Sequence, residues 1–175
     1  MSNENYTKVM RFASIRKFDI SNGEGIGVAL FTQGCFIHCY NCFNSETWDF
    51  DGGSPYTQNE EDQIIKLLKP SHIVRLTILG GEPLIERNRE PLSRLIQRVR
   101  ETYPEKKIWI YTGQTFDAVR DKFPEIVDNV NVLVDGPYID ELRNHNLKWC
   151  GSSNQRVIDI EDTLASGCIH LHPNA

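Results

Sequence analysis

The chain has no hydrophobic run approaching the roughly 18 residues that a bilayer-spanning helix needs. Its start, Met1 to Met10, lacks the apolar core of a secretory signal. Both absences point to the cytoplasm, where thiols stay reduced. Basic residues are in deficit: 19 Lys and Arg stand against 24 Asp and Glu, a net charge of −5. Nucleic-acid binders usually carry a basic face, so neither nucleic acid nor a membrane is an expected partner. There is no internal repeat or low-complexity tract, and with 39% hydrophobic and 25% charged residues a disordered chain or a fibre is excluded. An even set of cysteines is also missing. The five present, Cys35, Cys39, Cys42, Cys150 and Cys168, fit disulfides badly and fit three metal ligands with two to spare.

What is there alternates between strand-like and helix-like segments. Val28–Thr32 reads as a buried strand running straight into Gln33-Gly34-Cys35. Asp51–Pro55 is a loop by composition. Thr57 and Glu60 form a capping-box pattern for a helix whose apolar face is Ile64, Ile65, Leu67 and Leu68, ended by Pro70. Val74–Leu79 is the next strand, followed by Gly80-Gly81-Glu82-Pro83. From Pro91 to Thr102, Leu92, Leu95, Ile96 and Val99 mark one buried helical stripe. Lys107–Thr112, Val130–Val134 and Gln155–Ile160 read as further strands, with a short helix over Phe116, Val119 and Phe123 between the first two.

A β-then-α alternation predicts an α/β fold with a parallel sheet and helices packed outside it. About five β/α units are too few for a closed eight-stranded barrel, so the expected architecture is a partial, open parallel β/α barrel. In such sheets ligands bind beyond the C-terminal strand ends. The cysteine loop, the Gly80–Pro83 turn, Gly113 and Asp135 all leave strands at that end.

Cys35, Cys39 and Cys42 have the spacing C-x3-C-x2-C. A fully held [4Fe–4S] cluster takes four thiolates, so three leave one iron open, as a catalytic metal site does. The competing reading is a structural zinc site in a binding module, with His38 as fourth ligand, but His38 directly precedes Cys39 and is awkward to bring to the same ion. At Gly80-Gly81-Glu82-Pro83, glycines permit close backbone approach, and a carboxylate suits an ammonium group. Pro83 keeps Glu82 extended. A plain turn is the bland alternative.

Together the two motifs resemble the radical S-adenosylmethionine (SAM) superfamily. The resemblance implies a barrel of the radical SAM type, and an open iron chelated by the amino and carboxylate groups of SAM's methionine. It implies that Gly80, Gly81, Glu82 and Pro83 bind that amino group. One electron from the reduced cluster then cleaves the sulfonium and yields a 5′-deoxyadenosyl radical, which abstracts a hydrogen atom. The superfamily usually has an aromatic residue just before the third cysteine. Asn41 stands there, so Phe43 or the Asn41 backbone is expected against the adenine. Asn41, Cys42, Phe43, Thr112 and Asp135 complete the expected cofactor-binding set.

Within the superfamily, the chain is similar to the activating proteins of anaerobic ribonucleoside-triphosphate reductases from about Asp19 to Asp159. The stretches that carry this are Gly34 to Asn44 with Thr47-Trp48, Glu61 to Ile65, Ile108 to Gly113, Asn131 to Gly136, and Trp149 with Gly151 to Gln155. The chain is thus expected to be one domain over residues 1–175, with a core of about 19–160 and a C-terminal extension over 161–175. The resemblance implies a protein substrate, the large subunit of the reductase. One glycine near its C-terminus becomes a stable glycyl radical, and a flavodoxin or ferredoxin supplies electrons. Another glycyl-radical enzyme or a small heterocycle is the alternative substrate. Cys150 stands where that family usually has an arginine, with Arg143, Lys148 and Arg156 as available substitutes. Cys168 to His172 reads as a bland terminal extension rather than a metal site.

Overall fold

The computed structural model describes residues 9–175; residues 1–8, the start of the polar N-terminus, lie outside the described residues. In chain order the elements are β1 (Arg11–Asp19), β2 (Gly27–Thr32), β3 (Ser54–Pro55), α1 (Gln58–Leu68), β4 (Arg75–Gly80), α2 (Arg89–Thr102) and β5 (Lys107–Tyr111). There follow α3 (Phe116–Lys122), α4 (Pro124–Val127), β6 (Val132–Asp135), β7 (Arg156–Asp159), α5 (Ile160–Ser166) and β8 (His170–Leu171). The strands form one open sheet in the order β3-β1-β2-β4-β5-β6-β7-β8.

Among the described residues only β2, β4, β5 and β6 are parallel to one another. The sheet is therefore mixed, and the expectation of about five parallel β/α units is corrected at two places. Strand β7, expected as the fifth unit, runs antiparallel to β6. The connection 136–155 carries only a single 3-10 turn, Asp140–Leu142, so no helix returns the chain to the far end of the sheet. It re-enters from the end at which β6 left, and that forces the reversal. Strand β1, not foreseen, pairs antiparallel with β2 through two irregularities in register. Its pattern of half-buried and exposed residues follows no clean period of two. Ser54–Pro55, expected as loop, adds a two-residue edge strand to β1.

The parallel strands are buried on both faces. Val28, Leu30, Leu76, Ile78, Ile108, Ile110 and Leu133 face the helices and merge with Ile64, Leu68, Leu92, Leu95, Ile96 and Val99 into the main core. The alternate residues face the other way: Ala29, Phe31, Leu79, Trp109, Val132 and Val134. The Thr57–Glu60 capping box forms reciprocally, and Ile64 and Leu68 are fully buried while Ile65 and Leu67 are half-buried. Among the described residues no helix is long and apolar enough to cross a membrane.

At the N-terminal ends of the parallel strands a buried charge organises the floor. Arg75 is fully buried, and its Nη2 pairs with Asp19 Oδ2 at 2.8 Å. Its guanidinium also donates to Thr77 Oγ1 (2.6 Å), Glu24 O (3.2 Å) and Asp19 O (2.9 Å). A Cβ on Gly27 would lie 2.5 Å from the Arg75 side chain, so the start of β2 is shaped around it.

Candidate functional site

The cysteine loop begins where β2 ends. Gly34 turns the chain at φ 97, and His38 (φ 51) and Asn41 (φ 53) turn it again between the cysteines. Gly34 N donates to Thr47 O (2.8 Å) and Cys35 N to Trp48 O (3.1 Å), which anchors the loop to its own return segment. From outside, Arg87 donates to Phe50 O (2.8 Å) and Gln33 O (2.6 Å), and Gln33 donates to Asp49 O (2.9 Å). With its backbone bent this way the loop aims amides at sulfur. Asn44 N donates to Cys42 Sγ (3.4 Å), and the backbone amides of His38 and Ile37 favour the thiolate of Cys35 as that of Tyr138 favours the thiolate of Cys39. Burial pushes the Cys35 and Cys39 thiols up, and these amides pull the other way. Amide bonds to sulfur are one of the means by which a protein sets an iron–sulfur potential.

The Gly80–Pro83 turn packs directly on this loop. Gly81 N donates to Thr32 O (2.9 Å) and Glu82 N to Gly34 O (2.9 Å). A Cβ on Gly81 would lie 2.4 Å from Gly34 O, and one on Gly80, at φ 109, would lie 2.6 Å from Thr32 O. The glycines thus bring two backbones together. Glu82 is fully buried, and its carboxylate accepts from Leu84 N (3.0 Å), Thr112 Oγ1 (2.8 Å) and Gly113 N (2.9 Å). Burial pushes its pKa up to about 7 despite these donors. Glu82 is therefore the clasp between the ends of β4 and β5.

Cys35, Cys39, Cys42, Gly80, Gly81, Glu82, Thr112 and Gly113 line one cavity of about 130 Å³, with Trp48, Tyr111 and Tyr138. Four strand ends meet there as expected, since Gly136 also lines it. It continues into a cleft of about 440 Å³ walled by Arg16, Phe31, Phe43, Tyr111, Trp149 and Cys150. The Trp48 indole N–H and the Tyr111 hydroxyl are buried without a hydrogen-bond partner. Buried donors of this kind fit a site that receives a polar ligand. Among the described residues no fourth cysteine and no histidine line the cavity. The His38 ring instead stacks on Trp48, with centroids 4.4 Å apart and planes 14° from parallel. Among the described residues no three His, Cys, Asp or Glu side chains converge on a point as a mononuclear site requires. Three thiols on one cavity, with backbone amides favouring their thiolates, are a donor set that fits an iron–sulfur cluster.

Other predicted residues sit differently. Asn41 lies on the outside, donating to Asp140 Oδ2 (2.9 Å). Phe43 is 64% exposed, with its ring against Tyr138 (5.5 Å) and Arg143 over it (5.3 Å). Asp135 lines neither cavity. Its carboxylate accepts from Phe116 N (2.8 Å) at the start of α3 and pairs with Arg156. With Arg156 so engaged and Lys148 near Trp149, Arg143 is the substitute cation nearest the cysteine loop. Tyr138 lines both cavities and passed unnoticed in the sequence, as did Arg87 and Gln33. Only the position of Tyr138 just past Asp135-Gly136, at a strand end, could have marked it.

Comparison with known proteins agrees with this geometry. A family model described as a 4Fe-4S single cluster domain matches residues 21–158. The anaerobic ribonucleoside-triphosphate reductase-activating protein of Escherichia coli K12 is 39% identical over 150 residues, covering 85% of this chain and 97% of that protein. The protein of the same name from Enterobacteria phage T4 is 38% identical over 148 residues, 85% of this chain and 93% of its own length. That of Pasteurella multocida is 36% identical over 152 residues, 85% and 96%. With a 4Fe-4S domain matched over most of the chain and relatives matched along nearly their whole length, the chain belongs to the family of anaerobic ribonucleoside-triphosphate reductase-activating proteins.

Proposed function

We propose that the chain activates an anaerobic ribonucleotide reductase by making a glycyl radical on its large subunit, with SAM as the source of the radical. Cys35, Cys39 and Cys42 hold a [4Fe–4S] cluster in this reading. The observation that carries it is the shared cavity, where three thiols face the Gly80–Glu82 turn and no fourth cysteine or histidine lines the wall. A bound, reduced cluster would supply the one electron that cleaves SAM's sulfonium to methionine and a 5′-deoxyadenosyl radical, and that radical would take the glycine hydrogen.

The chain's own residues bind, orient and exclude. The Gly80–Gly81 backbone receives SAM's amino group, with Glu82 and Thr112 holding that backbone in place through their 2.8 Å bond. Trp48, beside His38, keeps water from the cluster. Phe43 and Tyr138 form the adenine side of the site. The cleft walled by Phe31, Tyr111 and Trp149 admits the glycine-bearing segment of the reductase. The four parallel strands, with the site at their C-terminal ends, serve as a partial barrel of the radical SAM type. A flavodoxin or ferredoxin supplies the electron, in the cytosol, where the thiols stay reduced.

The test is anaerobic incubation of reduced, cluster-loaded protein with SAM and the reductase. A glycine-centred EPR doublet on the reductase, with 5′-deoxyadenosine formed alongside, is the expected result. Absence of the doublet sinks the proposal. Turnover of a small molecule without the reductase would transfer the reading to another radical SAM activity.

A further inference from the structure

The segment after Asp159 lies beyond the family model, which ends at residue 158, yet it is built into the fold. Asp159 caps α5, accepting from Asp162 N at 3.0 Å, and Gly167 ends the helix in the left-handed region at φ 74. That turn sends the chain back along β7 as β8, and His172 N then donates to Val157 O (2.8 Å). The His172 side chain is only 11% exposed. Its ring centroid lies 5.3 Å from those of both Trp109 and Trp149, whose own rings meet edge to face at 5.1 Å.

Two further observations give this cluster a purpose. Glu24, in the loop between β1 and β2, holds the tail from the opposite side of the open sheet. Asn174 Nδ2 donates to its Oε1 (2.9 Å), and His172 Nε2 lies 3.8 Å from its Oε2. Trp149 has φ 62, a backbone conformation uncommon for a bulky residue, which persists only where its surroundings enforce it. Trp149, with Leu147, Cys150 and Gly151, is one wall of the 440 Å³ cleft.

We infer that His172 is a positioning residue. It props Trp149 from below and so fixes the wall against which the reductase segment binds. The inference rests on the proposed use of that cleft. In this arrangement the tail is a part of the substrate site that lies outside the matched domain.

The experiment compares full-length wild type, His172→Ala and His172→Phe by hydrogen–deuterium exchange over residues 144–155 and by steady-state kinetics of glycyl-radical formation. Loss of the imidazole is expected to speed exchange at 146–151 about three- to tenfold, the factor that corresponds to one aromatic contact. It is expected to raise KM for the reductase by a similar factor with kcat little changed. His172→Phe, which keeps a ring at the position, is expected to restore both. Unchanged exchange in His172→Ala overturns the inference, and so does faster exchange with an unchanged KM. If wild type itself forms no glycyl radical, the functional proposal has failed, and hydrogen exchange alone still decides whether His172 holds Trp149.

Discussion

The rim and the floor of the sheet each bury an ionisable side chain, and they treat it oppositely. At the floor, Arg75 reaches a carboxylate, a hydroxyl and backbone carbonyls, so its charge is paired and its donors are used. At the rim, Glu82 accepts three hydrogen bonds but has no ion pair among the described residues, and its pKa is driven up to about 7 by burial. On the same cavity wall the Trp48 indole N–H has no hydrogen-bond partner. The floor is internally complete and the rim is not. A buried polar group whose needs are met within the fold marks architecture, and one left short on a cavity wall points to a ligand there.

Substitutions at the two ends can break or sharpen that contrast. The largest effect is expected from Cys39→Ala. The residue is half-buried, so the apo fold should survive, while iron and sulfide content and radical formation should fall to background. Loss of folding instead would make the loop architectural. Arg75→Met should act in the reverse sense, leaving Asp19 buried and uncompensated at about 3–5 kcal/mol. Urea denaturation measures this, and a cost under 1 kcal/mol would contradict the account of the floor.

Glu82→Gln tests the charge at the rim. The folded pKa of Glu82 is raised, from an ordinary 4.5 to about 7, so the stability it contributes is full below pH 4.5. That stability is lost as pH rises through 7, a change of about 3 kcal/mol. The wild-type urea midpoint should therefore decline across this window, and Glu82→Gln should flatten the decline. Equal slopes would show that Glu82 is not the titrating group. The smallest effect is expected from Thr57→Ala, which removes the capping box of α1 away from both ends. It should cost about 1 kcal/mol with cluster content unchanged.

Features that repeat locally were legible in the sequence. The stripe Leu92, Leu95, Ile96 and Val99, the Thr57–Glu60 cap and the continuous apolar run of β2 each announced their element, because periodicity and capping are properties of neighbouring residues. The cysteine spacing and the Gly80–Pro83 turn stood out for the same reason, and the fold brings the three cysteines and Gly80 to Glu82 to one cavity. Strand direction was not legible, because nothing within Arg156–Asp159 says whether the chain returned to the far end before pairing. Nor was the role of Arg75, since a charge opening a strand reads as exposed until Asp19, distant in sequence, is brought beside it. His172 looked like part of a bland tail, because its partners Trp109, Trp149 and Glu24 meet only in the fold.

The central claim is that three thiolates hold a cluster with one iron left to SAM. Anaerobic reconstitution with iron and sulfide, followed by EPR of the reduced protein with and without SAM, tests it most directly. A [4Fe–4S]⁺ signal whose g values shift when SAM is added is the predicted result. A signal indifferent to SAM, or protein that takes up zinc and no sulfide, would contradict it.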